Sequence, residues 1–214
     1  MPPTPINNEV NIVADSPIFY TIPEQIAARL CQDIFSGKLK PGQPLREKEV
    51  AEWFGVSRGP VREVFRQLTQ EGILIAEPNK GVRVAYQPSP SVRPLLVELR
   101  RIIECYVLDH IFDQITDEDI ARWEAVLEKI REACEKNDTA ALIQYDLEFH
   151  SAIVKSHDEK DLFTIWQPIA FRMLIHYDRL GDLMDSYREH SAIIEAIKRR
   201  DKEGALAALR TNIQ

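Results

Sequence analysis

The pentapeptide Gln87-Pro88-Ser89-Pro90-Ser91 breaks the chain with two prolines and two serines, and the apolar pattern differs on its two sides. Beyond it, apolar residues recur at helical spacing almost without interruption, over about 92–113, 117–136, 139–157, 159–180, 182–200 and 202–213. Thr116 with Asp119 has the spacing of a capping box, and Asp138 can cap the helix that follows it. No strand pattern occurs in this part, so residues 92–214 are expected to form an all-helical bundle. A chain of 214 residues, 44% apolar and 29% charged, suits two modest domains.

The amino-terminal side reads differently. Residues 1–20 carry four prolines and no sustained period, as a tail would. Thr21 can cap a helix with Pro23 in its first turn and Ile26, Ala27, Leu30 and Ile34 on its buried stripe. A breaker-rich turn, Gly37-Lys-Leu-Lys-Pro-Gly42, precedes a short helix from about Glu47 to Phe54. Ser57 can cap a third helix, whose stripe is Val61, Val64, Phe65 and Leu68. Ile73–Ile75 and Val82–Val84 then read as two strands around a turn. Helix, helix, turn, helix, hairpin is the order of a winged helix-turn-helix over 21–86, with 87–91 as linker.

No stretch reaches the ~18 apolar residues of a membrane span, and the first basic residue is Arg29, so the chain reads as cytoplasmic without membrane attachment. Cys31, Cys105 and Cys134 are odd in number and sit in helical patterns, which suits reduced core thiols. The net charge of −7 is uneven: residues 22–86 hold ten Lys/Arg against eight Asp/Glu, and 87–214 hold seventeen against twenty-four. Only the amino-terminal part can attract a polyanion, through a local cluster.

Arg58, Arg62 and Arg66 supply that cluster, four residues apart along one flank of the third helix. Arginine forks onto guanine in the major groove, the helix start at Ser57 favours phosphate, and Lys48 and Lys80 can reach the backbone from the neighbouring helix and the wing. A solvated charged face explains the same spacing, and Glu63 speaks for it. The wording of the segment decides. Gly37-Lys-Leu-Lys-Pro-Gly42, Leu45-Arg-Glu-Lys-Glu-Val-Ala51, Gly55-Val-Ser-Arg-Gly-Pro-Val-Arg-Glu63 and Lys80-Gly-Val-Arg-Val84 resemble the GntR family of bacterial transcription regulators. The resemblance implies DNA contacts at Lys48, Ser57, Arg58 and Arg62, with a wing at Asn79, Lys80 and Gly81. A homodimer on near-palindromic operator DNA follows from the small size of one reading head.

In the second part, Asp146 and His150 lie four apart on the same helical face as Leu142, Ile143 and Ile153, and His190 opens a stripe continued by Ile193, Ile194 and Ile197. Imidazole and carboxylate on core-facing stripes can assemble a site for zinc, nickel, iron or manganese, or can be hydrogen-bonded core groups. Glu98-Leu-Arg100, Glu104, Asp146-Leu-Glu-Phe-His150 and Glu189-His190 resemble the helical FCD effector domain found in FadR-like members of the same family. That likeness implies a metal held by Asp146, His150 and His190, with Asn212 where metal-binding members carry a third histidine. It also implies a small organic acid as effector. Arg100 is the expected carboxylate partner, or else simply the i, i+4 partner of Glu104, and Tyr106, Arg172 and Tyr177 are further candidates.

Two other functions fit the same residues: a metal-sensing regulator, and a metal-dependent enzyme using Asp146, His150 and His190. Against the enzyme, no general base stands beside an open ligand position.

Overall fold

The computed structural model describes residues 21–78, 80–174 and 182–214. Helix α1 (Ile22–Phe35) starts in a full capping box, in which the Thr21 side chain accepts from the Glu24 amide and Glu24 accepts from the Thr21 amide. Helix α2 (Glu47–Phe54) ends on Gly55 at φ 64°, a left-handed turn that glycine adopts without a Cβ clash. Helix α3 (Arg58–Gln70) begins at Ser57, whose hydroxyl makes no capping hydrogen bond, so only its extended backbone serves as the cap. Strands β2 (Leu74–Glu77) and β3 (Gly81–Val84) form the expected hairpin, pairing Leu74 with Val84 and Glu77 with Gly81. A third strand, β1 (Pro44–Leu45), adds to the far edge of β3. Its two residues have no alternation to read; the pairing with β3 creates it.

Six helices follow: α4 (Arg93–Ile111), α5 (Asp117–Glu135), α6 (Thr139–Lys155), α7 (Lys160–Leu174), α8 (Met184–Lys198) and α9 (Lys202–Asn212). Helix α4 closes in a single 3₁₀ turn, Phe112–Gln114. The predicted caps are present: Thr116 and Asp119 form a second capping box, and the Asp138 carboxylate accepts from the Ala141 amide. Among the described residues, no helix is long and apolar enough to cross a membrane, and the three cysteines are free.

Two cores share α6 and α7. One gathers Ile26, Leu30, Ile34, Val64 and Leu68 of the winged helix together with Ile143, Leu147 and Val154 of α6 and Trp166, Ala170 and Leu174 of α7. The other is formed by the helical part, with Trp123, Ile130, Phe149, Ile153, Ile193 and Ile197. The amino-terminal fold therefore does not end at the linker; its apolar surface is completed by helices that also wall the second core. Gly72, at φ 79° behind α3, sits where an added Cβ would lie 3.3 Å from Pro168 of α7.

Candidate functional site

Polar side chains from five helices meet in one buried network. Arg100 and Glu104 come from α4, Asp146 and His150 from α6, Trp166 from α7, His190 from α8 and Asn212 from α9. Glu104 is completely buried and is the centre of the network. Its Oε1 accepts from Arg100 Nε and from Trp166 Nε1, each at 2.6 Å, and its Oε2 faces His150 Nδ1 at 2.5 Å. Burial would raise the Glu104 pKa, but attraction to His150 and Arg100 and the donated hydrogen bonds outweigh it, holding the carboxyl down at about 2. Burial keeps His150 below the usual imidazole range against the pull of Glu104. The permanent charge facing Glu104 is that of Arg100, whose second bond runs from Nη2 to Asp146 Oδ2 at 3.4 Å.

These partners fix the ring protons. An ionised carboxylate only accepts, so His150 carries its proton on Nδ1. The Ser186 carbonyl, 2.7 Å from His190 Nδ1, imposes the same tautomer there. Both Nε2 atoms are left with lone pairs, buried and without hydrogen-bond partners. They converge on one oxygen: Asp146 Oδ1 lies 3.9 Å from His150 Nε2 and 3.4 Å from His190 Nε2. The three ligand atoms fall within 4.8 Å of one another. Asn212 touches His190 through Nδ2, 3.2 Å from Nδ1, and its Oδ1 is a further buried acceptor without a donor. Arg100 offsets one of the two carboxylates and leaves one negative charge beside the two imidazoles. Lone pairs without donors and a residual negative charge are what a divalent cation would satisfy, so the residues fit a metal.

The other candidates are distributed differently. Arg100 is buried and belongs to the network, but its fork is engaged by Glu104 and Asp146 rather than open to a ligand. Tyr106 does not join it. Two residues beyond Glu104 it turns to the outer face of α4, about half exposed and stacked on His110 at 3.9 Å. Arg172 is likewise exposed, on α7. Tyr177 and Asn79 lie outside the described residues. Glu104 as hub and Trp166 as donor are what sequence reasoning missed; the i, i+4 spacing of Arg100 and Glu104 was the available signal.

On the winged helix, Arg58, Arg62 and Arg66 are exposed along α3. Arg62 Nε and Nη2 donate to the two oxygens of Glu47 on α2 at 3.0 and 2.9 Å. That pairing engages Nε and Nη2, and Nη1 takes no part in it. Lys48 lies 3.9 Å from Glu52, and Lys80 lies 3.5 Å from Glu77. The first pair is exposed and holds its cation loosely; in the second Lys80 is exposed, but Glu77 is partly buried and its Oε2 also lies 3.3 Å from Arg83 Nε.

Residues 22–84 match the family model "Bacterial regulatory proteins, gntR family", and residues 95–214 match the FCD domain. The chain belongs to the GntR family and carries an FCD domain. This GntR regulator is 29% identical over 195 residues to the HTH-type transcriptional repressor RspR of Escherichia coli K12, covering 89% of this chain and 85% of that one. It is 26% identical over 197 residues to the gluconate operon transcriptional repressor of Bacillus licheniformis, covering 88% and 80%. The solved structure of E. coli McbR/YncC shares the fold, with a TM-score of 0.73 at 24% identity over 92% of this chain and 95% of that one. The family is one of transcription regulators, not enzymes.

Proposed function

We propose that this GntR regulator is a cytoplasmic, ligand-responsive repressor, homodimeric on near-palindromic operator DNA. Residues 21–86 would read the operator, 87–91 would link, and 92–214 would sense. Arg58 and Arg62 read bases, and Lys48, Ser57 and Lys80 contact phosphate. Asp146, His150 and His190 hold a divalent transition metal, with Asn212 beside them as a weak ligand. The observation that carries the sensing role is the pair of buried, unpartnered Nε2 atoms facing Asp146 Oδ1. Repression is the role named for the E. coli and B. licheniformis relatives.

A bound metal supplies a Lewis-acid position able to hold the carboxylate of a small organic acid. Because Arg100 is already committed to two carboxylates, its task is to position Asp146 and Glu104, and the effector acid is left to the metal. Trp166 connects the site to the DNA-reading part: its N–H bonds Glu104, while its ring lines a cavity of about 370 Å³ together with Cys31 and Phe35 of α1. The same engagement of Arg100 favours a second reading, in which the metal is itself the signal.

Native mass spectrometry of the purified protein tests the site and separates the two readings. Metal together with a small acid supports the first reading, and metal alone supports the second. A metal-free wild type, or the same metal content in the His150→Ala and His190→Ala variants, overturns the metal site.

A further inference from the structure

The cavity of about 370 Å³ that Trp166 shares with α1 is walled by α1 of the winged helix and by α6 and α7 of the bundle. Packed protein interiors leave few voids larger than a water molecule, whereas ligand sites are concave, largely apolar, roughly 300–1,000 Å³ in volume and common at domain boundaries. On α6 the lining residues Gln144, Leu147, Glu148, Ser151 and Lys155 fall at i, i+3, i+4, i+7 and i+11, a single stripe. Asp146 and His150 stand one residue before Leu147 and Ser151, about 100° around the helix. Helix α6 therefore turns one face to the metal ligands and another to this cavity.

The lining has its own chemistry. Phe35 faces the cavity from α1, and Trp166 and Phe171 face it from α7, so three aromatic rings border one space. Burial pushes the Cys31 thiol up to about 12, which leaves it a neutral, unreactive part of the wall. The rim carries two charges, Glu148 and Lys155. Glu148 accepts from Lys129 at 2.9 Å, so its charge is offset. Lys155 is exposed, its Nζ lies 4.4 Å from the centre of the Phe163 ring, and among the described residues it stands in no salt bridge. Its charge reaches Glu71 at the end of α3, but burial raises that carboxyl's pKa and its Oε1 accepts from Gln67 at 3.0 Å. Gln144 and Ser151 add an amide and a hydroxyl beside the lysine. Rings below and a cation with two hydrogen-bonding groups above match a flat aromatic body bearing one acid.

We propose that this cavity is a second ligand site, distinct from the metal site, which takes a small aromatic acid with its rings among Phe35, Trp166 and Phe171 and its carboxylate at Lys155. A molecule held there touches α1 and the bundle together. It favours the arrangement in which the two stand at that spacing, and through it alters operator affinity. The site stands whether or not a metal binds at Asp146.

Isothermal titration of the chelator-stripped full chain with 1-naphthoate tests it apart from any metal. One molecule should bind per chain. Ala28→Trp, at an exposed α1 residue on the cavity wall, should abolish binding. Lys155→Gln should lower the affinity for 1-naphthoate roughly tenfold and leave that for the neutral 1-naphthalenemethanol unchanged. Circular dichroism checks each fold; should Ala28→Trp not fold, Gln144→Trp on the α6 wall is expected to block the site in the same way. No binding at millimolar 1-naphthoate, or binding that the tryptophan variants retain, overturns the site. Wild-type affinity in Lys155→Gln, or an alcohol that binds as tightly as the acid, overturns the acid assignment. On duplex selected from random DNA, 1-naphthoate should shift the affinity of the wild type and not that of Ala28→Trp, and bound naphthoate without a shift overturns the role in control.

Discussion

Glu104 shows what one side chain can be asked to do when it is buried among three donors. Removing it to alanine would leave the buried Arg100 guanidinium only its longer bond to Asp146, a loss of up to about 3–5 kcal/mol that would obscure its effect on the site. Glu104→Gln is the informative change. It keeps the shape and an acceptor for Arg100 or Trp166 but no longer fixes the His150 proton on Nδ1 through a carboxylate, so affinity for added Zn2+ should fall roughly 10- to 100-fold in a competition titration. Affinity equal to wild type would show that the hub does not orient the ligand. On α3 the expectation is simpler, because the side chains point away from the buried stripe. Arg58→Ala and Arg62→Ala should each weaken operator binding by about 1–3 kcal/mol at fixed salt, with helical content unchanged. Binding at wild-type strength would remove α3 as the reading helix.

At the scale of elements, the winged helix and the bundle are both legible in the sequence, since their caps and stripes are local. Thr21, Thr116 and Asp138 make the bonds their spacing predicts. What is not legible depends on partners far along the chain. Strand β1 exists only through β3, and the Ser57 hydroxyl leaves its cap bond unmade. Helix α6 shows one stripe in its periodicity but is buried on two sides, with Leu147 and Val154 serving the winged-helix core and Phe149 and Ile153 the other. The trio of Asp146, His150 and His190 is readable because each member sits on an apolar stripe. Tyr106, two residues from a core glutamate, lies on the opposite face of α4 and stays outside the buried network. The seam between α3 and α7 gives a further test. Gly72→Ala adds a Cβ in a left-handed conformation and against Pro168, and should cost about 1–2 kcal/mol. The midpoint of urea denaturation reads it, and an unmoved midpoint would mean that the seam yields freely.

For the whole molecule, the question is how an inner site reaches a DNA-binding surface on another fold. A ligand shifts an equilibrium only by its unequal affinity for two conformations, so the coupling needs a physical link that both parts contact. Trp166 is that link in this account: Trp166→Phe keeps an aromatic ring in the cavity shared with α1 and deletes the bond to Glu104. It should leave the operator affinity of the metal-free protein near wild type while reducing the change that metal produces. An undiminished change would place the coupling on another route. The measurement that tests the central claim most directly is the affinity for a duplex selected from random DNA, read by fluorescence anisotropy at fixed salt for chelator-stripped and Zn2+-loaded protein. The account predicts a roughly 5- to 150-fold difference in the wild type, the range of a typical coupling free energy, and none in His150→Ala or His190→Ala. A wild type indifferent to the metal, or variants that respond as the wild type does, would contradict it.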